Sequence, residues 1–152
     1  MRKADVALYR AKADGRDCYR TFRAEMDETV RVTNEIEAEL HEALETGKGL
    51  LVHYQPQVAS RTGRIVGVEA LVRWRNPSRG MVPPQQFVAI AEESNQICKL
   101  GEWVLREACR ASRRWPRLFI AVNFSPMQFR TPGFAERMIR IVKQCSADPA
   151  QI

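Results

Sequence analysis

Long apolar runs are missing from this sequence: no stretch of its 152 residues approaches the roughly 18 to 20 apolar residues that a membrane span needs. The beginning, Met1-Arg2-Lys3-Ala4-Asp5, has no apolar core of the kind a signal peptide carries. The expectation is a cytoplasmic segment, whose parent protein can still be anchored to a membrane upstream. Cysteine is scarce. Cys18, Cys98, Cys109 and Cys145 show no C-x-x-C spacing, and each lies in an apolar or helical stretch, as small buried thiols of a reducing compartment do. With two histidines and no paired cysteines, a zinc site of the His/Cys type is not expected.

Acidic residues are few in one part of the chain. Residues 51–152 hold 15 basic and 7 acidic side chains, whereas residues 1–50 hold 9 basic and 11 acidic. A positive field favours an anionic partner such as a nucleotide or a nucleic acid. No interleaving of aromatic and basic residues and no recognition-helix motif supports a nucleic-acid polymer. The simpler reading is that the matching acidic residues lie in sequence beyond these. With 45% apolar and 28% charged residues, the composition is that of a globular domain with a sizeable core.

Three regions separate along the chain. Residues 4–13 are rich in helix formers and stop at Gly15, and Cys18 to Phe22 alternate as an edge strand does. Residues 24–46 form the longest helical pattern without Gly or Pro. There Val32, Ile36, Leu40 and Leu44 recur every fourth residue with Ala43 alongside, and glutamates fill the outer face. From residue 50 the rhythm becomes strand and helix in alternation. Leu50–Val58 and Ile65–Trp74 flank the turn cluster 60–64 and read as a hairpin. Pro83-Pro84 opens a helix with Phe87, Ile90, Ala91 and Ser94 on one face. A second helix runs from about Cys98 to Arg114, with Leu100, Val104, Leu105, Ala108, Cys109 and Ser112 inward. Leu118–Phe124 is an apolar run of the kind found in a strand covered on both faces. Thr131-Pro132 reads as an N-cap with proline in the first turn of a last helix, carrying Phe134, Met138, Ile141, Val142 and Cys145. Alternation of this kind points to a parallel sheet or barrel. Three strands and three helices after residue 50 are too few for an eight-stranded barrel of about 250 residues, which leaves a small open sheet or a chain cut short.

Three polar side chains interrupt these strands: Gln55, Glu69 and Asn123. A carboxylate within Val66-Gly67-Val68-Glu69-Ala70-Leu71-Val72 costs several kcal/mol to bury unpaired. It needs an arginine, a hydrogen-bond network or a metal ion. Arg73, four residues on, lies on the same strand face. Asn123 closes the third strand, at the end where α/β barrels place catalytic groups. Oxygen ligands from Glu and Asn suit Mg²⁺ or Mn²⁺, and arginine suits phosphate. Spacing alone leaves other roles open: a structural Glu69–Arg73 ion pair, Asn123 as a strand-end cap, and Gln55 bonded to backbone beside Pro56.

Tyr54-Gln55-Pro56-Gln57-Val58 and Gly67-Val68-Glu69-Ala70-Leu71-Val72-Arg73-Trp74 resemble the opening signature of EAL domains. The likeness continues through Pro83-Pro84-Gln85-Gln86-Phe87, Ala91-Glu92-Glu93 and Leu100-Gly101-Glu102-Trp103-Val104-Leu105 to the V-N-x-S element Val122-Asn123-Phe124-Ser125, over roughly residues 37–152. A second likeness, of Ala4-Asp5-Val6-Ala7-Leu8-Tyr9-Arg10-Ala11-Lys12 and Gly15-Arg16, is to the last helix and exit strand of a GGDEF diguanylate cyclase domain. It covers only that domain's tail, so no cyclase activity is expected.

The resemblance implies three parts: residues 1–23 as the end of a GGDEF domain, 24–46 as a connecting helix, and 47–152 as the N-terminal half of an EAL domain. It implies an α/β fold, an incomplete (β/α)₈ TIM-type barrel whose first strand is antiparallel. It implies a phosphodiesterase that hydrolyses cyclic-di-GMP to the linear dinucleotide with two Mg²⁺ or Mn²⁺ ions. Glu69 would be catalytic as a metal ligand, Asn123 would complete that ion's shell, and Gln55 and Arg73 would bind substrate. The family's remaining acidic ligands and its lysine follow the V-N-x-S element and have no counterpart here. The chain alone is therefore expected to be inactive, with a non-catalytic cyclic-di-GMP-binding or interaction module as the alternative. An open third strand is expected to promote self-association or a homodimer.

Overall fold

The computed structural model describes residues 24–152. The readings made for residues 4–13 and 18–22, and for Cys18, lie outside the described residues. By its contacts the chain forms two units, Met1–Glu39 and Leu40–Ile152, and the boundary falls within the first described helix.

That helix, α1, spans Ala24–Thr46, as its Gly- and Pro-free pattern predicts. In the first unit Val30 and Ile36 are buried, and Arg31 reaches Glu28 at 2.6 Å and Glu35 at 2.5 Å, the spacings at which helix side chains meet. In the second unit Leu40 and Ala43 are buried; of the expected stripe, Val32 in the first unit and Leu44 in the second are half-buried. Near the helix end Glu45 meets Lys99 at 2.6 Å, and the hydrogen bond from Lys99 holds its carboxyl below the ordinary glutamate range. Gly49, at φ +78°, leads out of the helix against the carbonyl of Arg75. A Cβ would strike that oxygen, so only glycine lets the chain enter the sheet here.

The sheet is built around one strand. β1 (Leu50–Val58) runs antiparallel to β2 (Ile65–Asn76), with Gln55 opposite Glu69 and Leu51 opposite Arg73. β2 turns at Asn76, whose Oδ1 accepts from the backbone of Ser78 and Arg79. It then pairs with a short β3 (Gly80–Val82), a strand hidden in what the sequence presents as a loop. After helices α2 (Pro84–Glu93) and α3 (Ile97–Ser112), β4 (Phe119–Val122) returns parallel to β2, with Glu69 beside Ala121. A one-turn helix α4 (Pro126–Phe129), then α5 (Phe134–Gln144) and a 3₁₀ turn (Pro149–Gln151), complete the chain. The described strands do not close, and the fold is an incomplete α/β barrel whose first strand is antiparallel.

The core lies on one side of the sheet. Val68, Ala70 and Ile120 pack beneath Val104, Ala108 and Ala111 of α3. Tyr54 from β1 joins them, its ring edge-on to Trp115 and its hydroxyl donating to the Glu107 carbonyl at 3.3 Å. A second cluster seats Ile141 of α5 against Leu105 and Cys109 of α3. Burial, with Cys145 adjoining, pushes the Cys109 thiol up to about 11, so it stays protonated and inert. Cys98 and Cys145 are only half-buried, which corrects the uniform burial expected of the thiols.

Two further expectations are revised. The apolar run 118–124 is covered on one face only: Ile120 is fully buried, whereas Phe119 is 41% exposed. The last helix is capped by Gly133 at φ +70°, not by Thr131, whose hydroxyl donates back to Met127 across the preceding turn. Ser94, placed on the face of α2, is its C-cap.

Because Ile120 is fully enclosed, Ile120→Ala is expected to lower stability by about 2–5 kcal/mol. Phe119→Ala, on the open face, should cost clearly less, and urea unfolding of the two variants measures the difference.

Candidate functional site

Alternation along β2 separates two kinds of residue. Val68, Ala70 and Trp74 turn to the helices and are buried. Glu69, Leu71 and Arg73 therefore share the opposite face, where Glu69 and Arg73 are half-buried. The β1 register sets Gln55, which is exposed, directly across from Glu69, and paired residues project to the same side. Asn123 stands one residue beyond β4, and its Nδ2 donates to Glu69 Oε1 at 2.6 Å. Four side chains singled out from the sequence, Gln55, Glu69, Arg73 and Asn123, thus meet on one sheet face.

The geometry removes one of the roles that spacing left open. No ion pair joins Glu69 to Arg73 among the described residues. The guanidinium donates to the carbonyl of Val72 at 2.8 Å instead, which leaves further donors for an anion. Glu69 is bonded to an amide rather than to a cation, so its negative charge is not cancelled. The two oxygen-bearing side chains suit a hard divalent cation. Among the described residues, however, no group of three or more His, Cys, Asp or Glu comes together, and Glu69 with Asn123 would supply at most part of a coordination shell.

Beside this face lies a cavity of about 320 Å³ reached by Leu71, Arg73, Glu92, Asn123, Ser125 and Gln128. Three of its polar residues were not picked out for a role from the sequence. Ser125 Oγ donates to Glu92 Oε1 at 2.6 Å. The Ser125 backbone N–H donates to Gln128 Oε1 at 2.8 Å, and Ser125 Oγ accepts from the backbone of Met127. This is a capping box on α4, and Ser125-Pro126-Met127-Gln128 is its sequence signature. Gln128 is 1% exposed, and its Nε2 lies directly over Gly101 of α3, where no side chain fits.

Comparison with known proteins identifies the class and then the family. The open sheet resembles those of a phosphodiesterase and of an EAL domain, both solved with c-di-GMP. "PaMucR Phosphodiesterase, c-di-GMP complex" superposes with a TM-score of 0.71 at 38% identity, over 77% of this chain and 49% of that one. The FimX EAL domain of Pseudomonas aeruginosa, bound to c-di-GMP, superposes with a TM-score of 0.68 at 25% identity, over 76% of this chain and 47% of that one. Residues 37–152 match the EAL domain, and the chain belongs to the EAL-domain family. An uncharacterized signaling protein of Caulobacter vibrioides is 42% identical over the whole chain, which covers 19% of that protein. The bifunctional diguanylate cyclase/cyclic di-GMP phosphodiesterase MucR of Pseudomonas aeruginosa is 38% identical, again over the whole chain and 23% of its own length. The cyclic di-GMP phosphodiesterase PdeR of Escherichia coli is 40% identical over 84% of the chain and 20% of its own length. The chain thus spans about a fifth of the curated relatives it matches.

Gly101→Ala offers a test in which two effects oppose. In an exposed helix interior the change stabilises by about 1 kcal/mol. Here the methyl displaces the buried Gln128 amide and breaks the capping box, so a net loss of thermal stability is expected in differential scanning calorimetry.

Proposed function

We propose that this chain carries the first part of the active site of a cyclic-di-GMP-specific phosphodiesterase, and that by itself it binds the site's ligands without turnover. The observation that carries this reading is the 2.6 Å hydrogen bond from Asn123 to Glu69, which gathers two oxygen ligands onto the face that also holds Arg73 and Gln55. Glu69 and Asn123 would hold one Mg²⁺ or Mn²⁺ ion, and divalent ions there would acidify the attacking water and offset the charge of the phosphodiester. Arg73 presents planar donors to a phosphate oxygen, a fit that lysine lacks. Gln55, across from Glu69, supplies an amide to the dinucleotide. With a single carboxylate on the face, two dications would remain under-compensated, so turnover needs further acidic residues. The names of the relatives and the bound ligand in the superposed structures support the choice of substrate.

Residues 1–23 are assigned, in the same proposal, to the end of a GGDEF domain and 24–46 to the helix connecting it to the EAL domain. The double activity in the name of MucR supports that order. No described helix is long and apolar enough to cross a membrane.

Titration of cyclic-di-GMP with Mn²⁺ against the purified chain, following heat and linear product together, tests the central point. Binding without product is expected. Steady product formation sinks the incomplete-site reading, and product lost on Glu69→Ala would then still assign the residue.

Among the described strands β4 pairs with β2 alone, and its other edge, with the exposed Leu51, Ile65, Val66 and Phe119, suits pairing with a second copy. Sedimentation should show concentration-dependent dimers; a monomer across the accessible range overturns this part.

A further inference from the structure

Asn123 lies beyond the last residue of β4 and is exposed. No strand pairing holds it, yet its amide is aimed at Glu69 Oε1. Two residues on, Ser125 is held from two sides. Its hydroxyl donates to Glu92 of α2 at 2.6 Å, and its backbone N–H donates to the buried Gln128. Between them Phe124 packs edge-on to Phe134, with ring centroids 5.3 Å apart. The backbone from 123 to 125 is thereby fixed downstream of Asn123 and bonded to a different element from the one that carries Glu69.

We propose that Glu92 is a positioning residue: through Ser125 it fixes the chain after β4 so that the Asn123 amide meets Glu69. This rests on the reading of Glu69 and Asn123 as one site and adds what holds them together. The capping box explains Ser125 and Gln128 as the start of α4, but Glu92 is no part of that box, and a helix cap needs no carboxylate from α2. A hydroxyl-to-carboxylate bond is short and charge-assisted, and both partners are partly buried, where such a bond is least weakened by water. The carboxylate of Glu92 thus acts on the site through one hydroxyl and two residues of backbone.

The test reads the Asn123 side chain directly, by NMR of the full chain labelled with ¹⁵N-asparagine, the resonance being assigned by its loss in Asn123→Ser. Glu69→Ala gives the reference for an unbonded amide. Glu92→Ala and Ser125→Ala should move the Asn123 amide to that reference, with exchange about tenfold faster, the factor that one ordinary hydrogen bond sustains. Glu92→Gln keeps an acceptor and should retain the native signal. Should Glu92→Ala not fold, Glu92→Asp, one methylene too short to reach Ser125, carries the same expectation. Ile141→Val, a destabilising change in the distant α3–α5 core, should leave the resonance in place. An unmoved Asn123 signal in folded Glu92→Ala or Glu92→Asp overturns the proposal, whatever happens to the melting temperature. Adding Mn²⁺ to the wild type separates the two readings. Paramagnetic broadening at Asn123 supports the metal site, and its absence removes the metal role while the positioning result stands on its own.

Discussion

Everything in the described fold hangs on β2 being bonded along both edges while its side chains alternate between two environments. On one face Val68, Ala70 and Trp74 are buried, and their removal from water, worth about 1.5–3 kcal/mol for each large apolar side chain, fixes the register of the strand. A slip of one residue would drive Glu69 into the apolar layer beneath α3 at a cost of several kcal/mol and expose the valines. The packing of its neighbours therefore puts the carboxylate on the open face, where the Asn123 amide then bonds it. β1 and β4 both take their register from this strand, so Gln55 stands opposite Glu69 and Asn123 reaches it because the core on the other side is well packed.

The open face is correspondingly under-satisfied. A hydrogen bond to a charged group contributes about 1.5–3 kcal/mol, enough for one amide to hold the half-buried Glu69, but an amide does not cancel its charge. Arg73 donates to a backbone carbonyl and keeps donors to spare. Among the described residues Glu69 meets no cation and Arg73 meets a backbone carbonyl, so both charges on this face stay open to a partner of opposite sign.

Elements with a strong local signal were legible. The turn cluster at 60–64 between two β-rich runs gave the β1–β2 hairpin, and the glycine- and proline-free stretch gave α1 nearly to the residue. Elements without periodicity were not. β3 is three residues long and follows Asn76-Pro77, so it exists only because β2 offers it an edge. The helix α4 is a single turn; its Ser-x-x-Gln signature was present, but four residues generate no apolar stripe to draw attention to it. The cap at Gly133 in place of Thr131 depends on a positive φ, which a side-chain preference for capping does not reveal.

The sequence by itself determined which residues are polar within apolar strands, and hence the four side chains of the candidate site, together with the EAL signature they belong to. Only the tertiary structure decided who bonds to whom. Glu69 and Asn123 are 54 positions apart, and the nearer partner, Arg73, is on the right face yet bonds elsewhere. Periodicity is a short-range property and fixes the face a residue occupies. A hydrogen bond between strands depends on the parallel return of β4 across α2 and α3, and therefore on the packing of the whole layer.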